Sequence, residues 1–283
     1  MRRVLVPSIV LIVVLSFFLI GCEKRSVQPH QTDWDAVKAI ISDNPEVFSL
    51  GFYDTAPDTL FYREITQSIG DIDTGRYVQT PAEDLLHLDP FFPYIILVWG
   101  DSLKGTFHYR LNGKPYQKPI SSKSRTNAYF EKWGDDYDPY LGWLFKQLSG
   151  TVINSDKTTR HPSTLNVVSE GVDVIITEPT LLKLVKRDST LIFEKGRQVT
   201  FTIDPIDSTD FLFLHVKEGQ TYQKIPFTSI GGGKFSASWT TTTDPEIAKG
   251  YHQAIVDLVS RQSVTDTTSK YDSKAWGVIY RIR

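Results

Sequence analysis

Cysteine is almost absent from this chain of 283 residues; Cys22 is the only one. A single thiol excludes an internal disulfide framework and any metal site built on paired cysteines. An excess of one charge is missing too, with 31 basic residues against 33 acidic ones. Nucleic-acid binding normally needs a basic face, and none stands out at domain scale. The six histidines, at 30, 87, 108, 161, 215 and 252, are scattered and none has ligand spacing. No G-x-S-x-G and no H-E-x-x-H occurs, which removes two familiar catalytic frames. Internal repeats, low-complexity tracts and long heptads are absent as well.

What is present begins at the first residues. Arg2 and Arg3 precede an apolar run from Val4 to Ile20, broken only by Pro7, Ser8 and Ser16. At seventeen residues the run sits at the bottom of the range for a spanning helix, which needs about 20. A positive start, an apolar stretch and a small residue before a cut point are the marks of an export signal. Leu19-Ile20-Gly21-Cys22 resembles the lipobox of bacterial lipoproteins. The resemblance implies cleavage before Cys22, diacylation of its sulfur and acylation of its new amino group. One acyl chain holds a protein only marginally, and two or three hold it firmly. The expected address is therefore the cell envelope, with the membrane as partner through lipid on Cys22. Glu23 stands where an Asp in such proteins signals inner-membrane retention, which leans the expectation towards the outer membrane, facing the periplasm or the surface.

Loss of residues 1–21 leaves 262 residues with 29 basic and 33 acidic side chains, a mildly acidic surface. That length suggests two domains, each large enough for its own core. Residues 22–32 are polar, include Pro29 and read as a lipidated tether. Thr32 and Asp35 form a capping pair. Behind them Trp34, Val37, Ile40 and Ile41 recur at helical spacing, so the spacing predicts an amphipathic helix ending near Asn44-Pro45. Strands are expected at 61–65, 94–99, 104–111, 114–120, 125–133 and 140–149, with Asn112-Gly113 as a hairpin turn. One helix followed by a meander of strands is an α+β pattern.

Trp34-Asp35-Ala36-Val37 leading to Asn44-Pro45-Glu46-Val47-Phe48, then Gly105-Thr106-Phe107, a strand opening at Arg125, and Gly142-Trp143-Leu144-Phe145-Lys146-Gln147-Leu148-Ser149-Gly150 together resemble the nuclear transport factor 2 superfamily. The resemblance implies a cone-like α+β domain over 33–157, a helix within a curved antiparallel sheet that leaves a pocket. Helical signals between 50 and 90, where that fold places two more helices, are weak in this sequence.

The remainder divides into a bridge, 158–188, and short alternating strands at 191–194, 198–203, 211–216, 222–227, 234–239, 252–259 and 275–282. Seven such strands predict an all-β immunoglobulin-like sandwich over 189–283. Gly250-Tyr251-His252 resembles the tyrosine corner of those folds.

No cofactor or metal is expected. Asp135-Asp136-Tyr137-Asp138 gathers carboxylates, but the twelfth position from Asp136 is Gln147 where a calcium loop has Glu, so a solvated loop is the better reading. Gly231-Gly232-Gly233-Lys234 lacks the flanking residues of a phosphate loop and reads as a hairpin turn. Lys114, Lys118, Lys123 and Arg125 read as charges that keep a hairpin soluble. The candidate ligand-binding residues are Trp99, His108, Arg125 and Trp143, grouped because a cone interior is where aromatic and convergent polar side chains would make a pocket. His108 is the candidate general base if the cone is an enzyme acting on a small hydrophobic molecule. Exposed aromatics such as Trp239 and Trp276 would make the sandwich a glycan binder. The favoured expectation is a non-catalytic lipoprotein with a binding or structural role, its partner an envelope protein or a small hydrophobic ligand.

Overall fold

The computed structural model of the chain describes residues 32–50, 61–68, 94–100, 102–204, 209–219 and 221–283. The stretch expected to be an export signal, Cys22 and the expected tether before Thr32 lie outside the described residues.

Helix α1 (Asp33–Ser42) starts as its sequence dictates. The Thr32 hydroxyl accepts from the Asp35 amide, and the Asp35 carboxylate accepts from Thr32, a reciprocal cap. Ala36, Val37, Ile40 and Ile41 form its buried stripe. Pro45 opens the short α2 (Pro45–Phe48).

The strands follow: β1 (Phe61–Ser68), β2 (Tyr94–Trp99), β3 (Ser102–Leu111), β4 (Lys114–Lys132) and β5 (Trp143–Ser155). Asn112 and Gly113, with φ of 52° and 77°, make the β3–β4 turn that the Asn-Gly pair predicts. β4 runs for 19 residues straight through Ser121-Ser122-Lys123-Ser124, where the sequence suggested a break. Ser122 and Ser124 are buried on its inner side. Pro115 and Pro119 fall in the half of β4 whose second edge has no ladder, where a missing N–H costs no sheet bond. Then come β6 (Thr164–Ser169), β7 (Val172–Ile176), α3 (Glu178–Leu181), β8 (Val185–Lys186), β9 (Leu191–Phe193) and β10 (Gln198–Asp204). The chain ends with β11 (Phe211–Glu218), β12 (Thr221–Pro226), β13 (Thr228–Gly231), β14 (Lys234–Thr240), β15 (His252–Val259), α4 (Arg261–Thr265) and β16 (Ser273–Ile282).

Eleven strands share one sheet, in the order β1-β3-β4-β5-β16-β15-β11-β12, with β2 added to β4, β8 to β5 and β9 to β16. It is antiparallel except for the β9–β16 pair. Five strands, β13-β14-β10-β6-β7, make the second sheet. The large sheet curls into a half-barrel that brings its two ends face to face. Phe61 of β1 meets Phe213 of β11 at 5.3 Å between ring centroids, and Lys224 of β12 donates to the Phe61 carbonyl at 3.0 Å. Gly105 allows β1 to lie against β3, since a Cβ there would stand 1.9 Å from the Glu64 carbonyl oxygen.

These findings overturn the expected fold class. The α+β cone over 33–157 followed by a separate immunoglobulin-like sandwich does not form. β5 of the first half pairs with β16 of the second, so one sheet carries strands from both. Among the described residues the α-helices are four and short, against two extended sheets. The cause lies in β15 and β16. Every residue of β15 is buried, and all but one of β16. Ala254, Val256 and Leu258 face the second sheet with Trp276, Val278 and Tyr280, while Ile255 and Val259 face the interior of the curl. A free-standing sandwich strand leaves one face for water, whereas these two have apolar residues for both. They consequently serve two cores. α1 and α2 fill the concave side against Ala128, Phe130, Trp143, Phe145 and Ile279.

The bridge 158–188 divides between the sheets, with β6 and β7 in the five-stranded sheet and β8 on β5. Arg160 fastens its start, donating to both carboxylate oxygens of Asp210 at 2.8 and 2.9 Å and to Asp272 at 3.3 Å. Tyr251 does not close a local corner. Its hydroxyl donates to the carbonyl of Arg187 on the bridge at 3.0 Å.

Candidate functional site

Among the described residues, the largest gathering of perturbed titratable groups sits inside the curl, where the sheet's two ends meet. Phe61 and Arg63 alternate inward along β1, and so do Phe213 and His215 on β11 and Asp257 on β15. Lys224 of β12 is paired with His215 and shares its face. Asp257 is the hub. Arg63 Nη2 lies 3.1 Å from its Oδ1 and 2.9 Å from its Oδ2, and His215 Nε2 lies 3.2 Å from Oδ2. Arg63 Nε also donates to the Tyr271 hydroxyl at 2.7 Å. The Lys224 ammonium stands over the Phe61 and Phe213 rings at 4.0 and 4.4 Å.

Burial by itself would push the Asp257 carboxyl up, but Arg63, helped by His215 and Lys224, holds it at about 2. Burial pushes the His215 imidazole down, and the Asp257 contact only partly offsets that. Lys224 is drawn down to about 8 by burial and by Arg63. At neutral pH Asp257 is an anion and His215 is neutral. An ionised carboxylate only accepts, so His215 carries its proton on Nε2 and donates to Asp257. Chemically this is an Asp–His pair, the arrangement that orients a general base when the other ring nitrogen faces a cleft. Here the His215 side chain is 5% exposed and that of Asp257 0%. The cluster's evident work is mechanical, tying β1 and β12 to β15 and β11 across the open side of the half-barrel.

The candidates read from the sequence lie elsewhere and do not converge. His108 of β3 faces away from Phe107 and Tyr109, on the outer side of the curl. It stacks on Tyr62 at 4.6 Å, and its Nε2 lies 3.2 Å from Oε2 of exposed Glu64 without hydrogen-bond alignment. Arg125 is exposed on β4, with Nε 3.4 Å from the Asn127 side chain. Trp143 is buried at the start of β5 and donates from Nε1 to Asp33 of α1 at 3.0 Å, so it fastens helix to sheet. Trp99 ends β2, paired with Thr126, and its side chain lies outside the described ones. Lys118 is no solubilising charge. It is buried, with its ammonium over Tyr109 and bonded to the Asp266 carbonyl and the Ser269 hydroxyl, and it docks the segment after β15. Trp239 and Trp276 are core residues at 4% and 0% exposure.

The sequence reading missed Arg63, His215, Lys224 and Asp257. One signal was available: Asp257 is the lone charge in the otherwise apolar stretch 254–259, and a charge inside a doubly buried strand requires a partner.

The aspartates of 135–138 occupy themselves locally. Asp138 accepts from the Asp135 amide, Asp135 accepts from the Tyr137 amide, and Asp136 pairs with Lys132. Among the described residues no group of side chains is arranged to hold a metal. A shallow apolar groove of about 190 Å³ runs between β7 and β5, lined by Leu148, Ile176, Leu181, Val185 and Ile279 among others. Neither a family model, nor a curated protein, nor a solved structure matches the chain.

Proposed function

We propose that the protein is a lipid-anchored component of the bacterial cell envelope, held on the membrane through acylated Cys22, whose folded part binds a partner or serves a structural role. The observation that carries the reading is Leu19-Ile20-Gly21-Cys22 at the end of a basic-then-apolar leader, in a chain with no other cysteine. The outer membrane is the favoured address because Glu23, and not Asp, follows the cysteine. The fold supports a binding or structural role in two ways. Its densest titratable cluster is spent on closing the curl, and His108, the candidate base, stands on the outer face.

The groove beside β7 favours a protein partner over a small hydrophobic ligand. Ligand pockets run from roughly 300 Å³ upward, and this groove of about 190 Å³ suits a single inserted apolar side chain. Ile175, 68% exposed on β7, adds apolar surface at its rim.

The test is Cys22→Ser. The wild-type chain is expected to float with membranes and to yield an acylated N-terminal peptide by mass spectrometry, while the variant is recovered in the soluble fraction. A variant that stays with membranes, alongside a wild type carrying no acyl group, would replace the lipid anchor with an uncleaved apolar helix.

A further inference from the structure

Among the described residues, nine large apolar or aromatic side chains are exposed, and four of them fall between 133 and 144: Trp133, Tyr137, Tyr140 and Leu144. This stretch is the β4–β5 loop and its borders. Tyr137 is 78% exposed and Trp133 53%. The loop lies against the point where the tether enters the fold. Lys132 and Trp143, at its two ends, both bond Oδ1 of Asp33, at 2.9 and 3.0 Å. The Tyr140 hydroxyl donates to Asp43 at the other end of α1. Inside the loop Tyr140, Leu141 and Gly142 all take positive φ, at 53°, 54° and 76°. Gly142 packs so close to Gly134 that a Cβ on it would stand 2.4 Å from that backbone. The exposed rings and the first turn of α1 therefore form one braced unit.

We infer that this loop is a membrane-contacting surface, seated in the headgroup layer with Trp133 and Tyr137 as its interfacial anchors; the inference rests on the lipid anchoring of Cys22 proposed above. Cys22 to Gln31 is ten residues, a reach of at most roughly 35 Å extended and about 18 Å as a coil. The acyl chains thus hold Thr32, and with it the loop, within one tether length of the bilayer. Tryptophan and tyrosine suit that layer because their amphipathic rings sit at headgroup level; the Trp133 N–H is given to Glu131 Oε2 at 2.5 Å, which leaves its ring face and edge for the bilayer. The Trp133 indole also carries the Lys146 ammonium over its ring at 4.8 Å, a cation placed to meet lipid phosphate. Asp135, Asp136 and Asp138 keep the loop acidic. The surface that fits is consequently zwitterionic, since an anionic leaflet would repel them.

The experiment uses the full acylated protein in vesicles of phosphatidylethanolamine and phosphatidylcholine, with or without brominated acyl chains, compared with Trp133→Phe. The other five tryptophans are common to both proteins, so the difference in emission between the two isolates Trp133. The expected result is loss of that difference in the brominated vesicles. A difference of equal size in plain and brominated vesicles would overturn the inference. Matching unfolding curves for the two proteins confirm that the substitution leaves the fold intact. The same vesicles are also loaded by coupling the Cys22 thiol of unacylated mature protein to a maleimide lipid. This holds the fold at the same tether length whether or not cells acylate Cys22, so a failure of lipidation and a failure of docking give different results.

Discussion

Replacing Asp257 should destabilise the protein more than any surface charge would, in a way that pH reveals. Its side chain is 0% exposed and that of Arg63 is 1%. Asp257→Ala leaves the guanidinium buried without its carboxylate, a loss of roughly 3–5 kcal/mol. Asp257→Asn keeps the shape and an oxygen for Arg63, and His215 can switch tautomer to accept from the new amide, so its cost is chiefly the charge. The drop of the Asp257 carboxyl from 3.8 to about 2 corresponds to about 2 kcal/mol, at about 1.4 kcal/mol per pH unit. Because the folded value lies below the unfolded one, this stabilisation is complete above the unfolded value and is lost as pH falls through the folded one. Urea unfolding of the unlipidated mature protein, followed by tryptophan fluorescence, reads the effect. The gap between wild type and Asp257→Asn should be near 2 kcal/mol at about pH 7 and close steadily between about pH 4 and about pH 2. A gap that stays constant over that interval, or an Asp257→Ala cost under about 1 kcal/mol, would refute the assignment of Asp257 as the hub that holds the curl closed.

Two further outcomes follow from the shared strands and from a second buried carboxyl. Since β15 and β16 belong to both cores, near- and far-ultraviolet dichroism should report one coincident unfolding transition, and two resolved steps would mean that the halves are energetically separate. Glu218, buried beside Trp239, has its carboxyl pushed up by burial against the opposing bonds from Trp239 and Thr242. Its folded value exceeds the unfolded one, so the stability it contributes is present at acid pH and is lost as pH rises. Glu218→Gln should therefore melt above wild type at about pH 8, with the difference vanishing near pH 4. A difference that grows on acidification in differential scanning fluorimetry would contradict this.

How much was legible in the sequence depended on the range of the signal. The Thr32–Asp35 cap, the stripe of α1 and the Asn112-Gly113 turn use residues within a few positions of one another, and each forms as its pattern predicts. The candidate site was not legible because its members are distant in sequence. Arg63 reaches Asp257 across 194 positions and Tyr271 across 208. Lys118 misled for a related reason. Its hairpin is exposed by pattern, but α4 and the loop after it fold back over that lysine and bury it.

By itself, the sequence determined the Thr32–Asp35 cap with the helix behind it and the Asn112-Gly113 turn, because caps and tight turns depend only on neighbouring residues. Only the tertiary structure decided that two apparent domains share a sheet, that Trp143 is a brace and His108 an outward residue, and that Asp257 is the centre of a charge cluster. The physical reason is the period of two along a strand. Alternation separates the faces without saying what covers each, and in β15 both faces are covered, one by a second sheet and the other by the sheet's own curl.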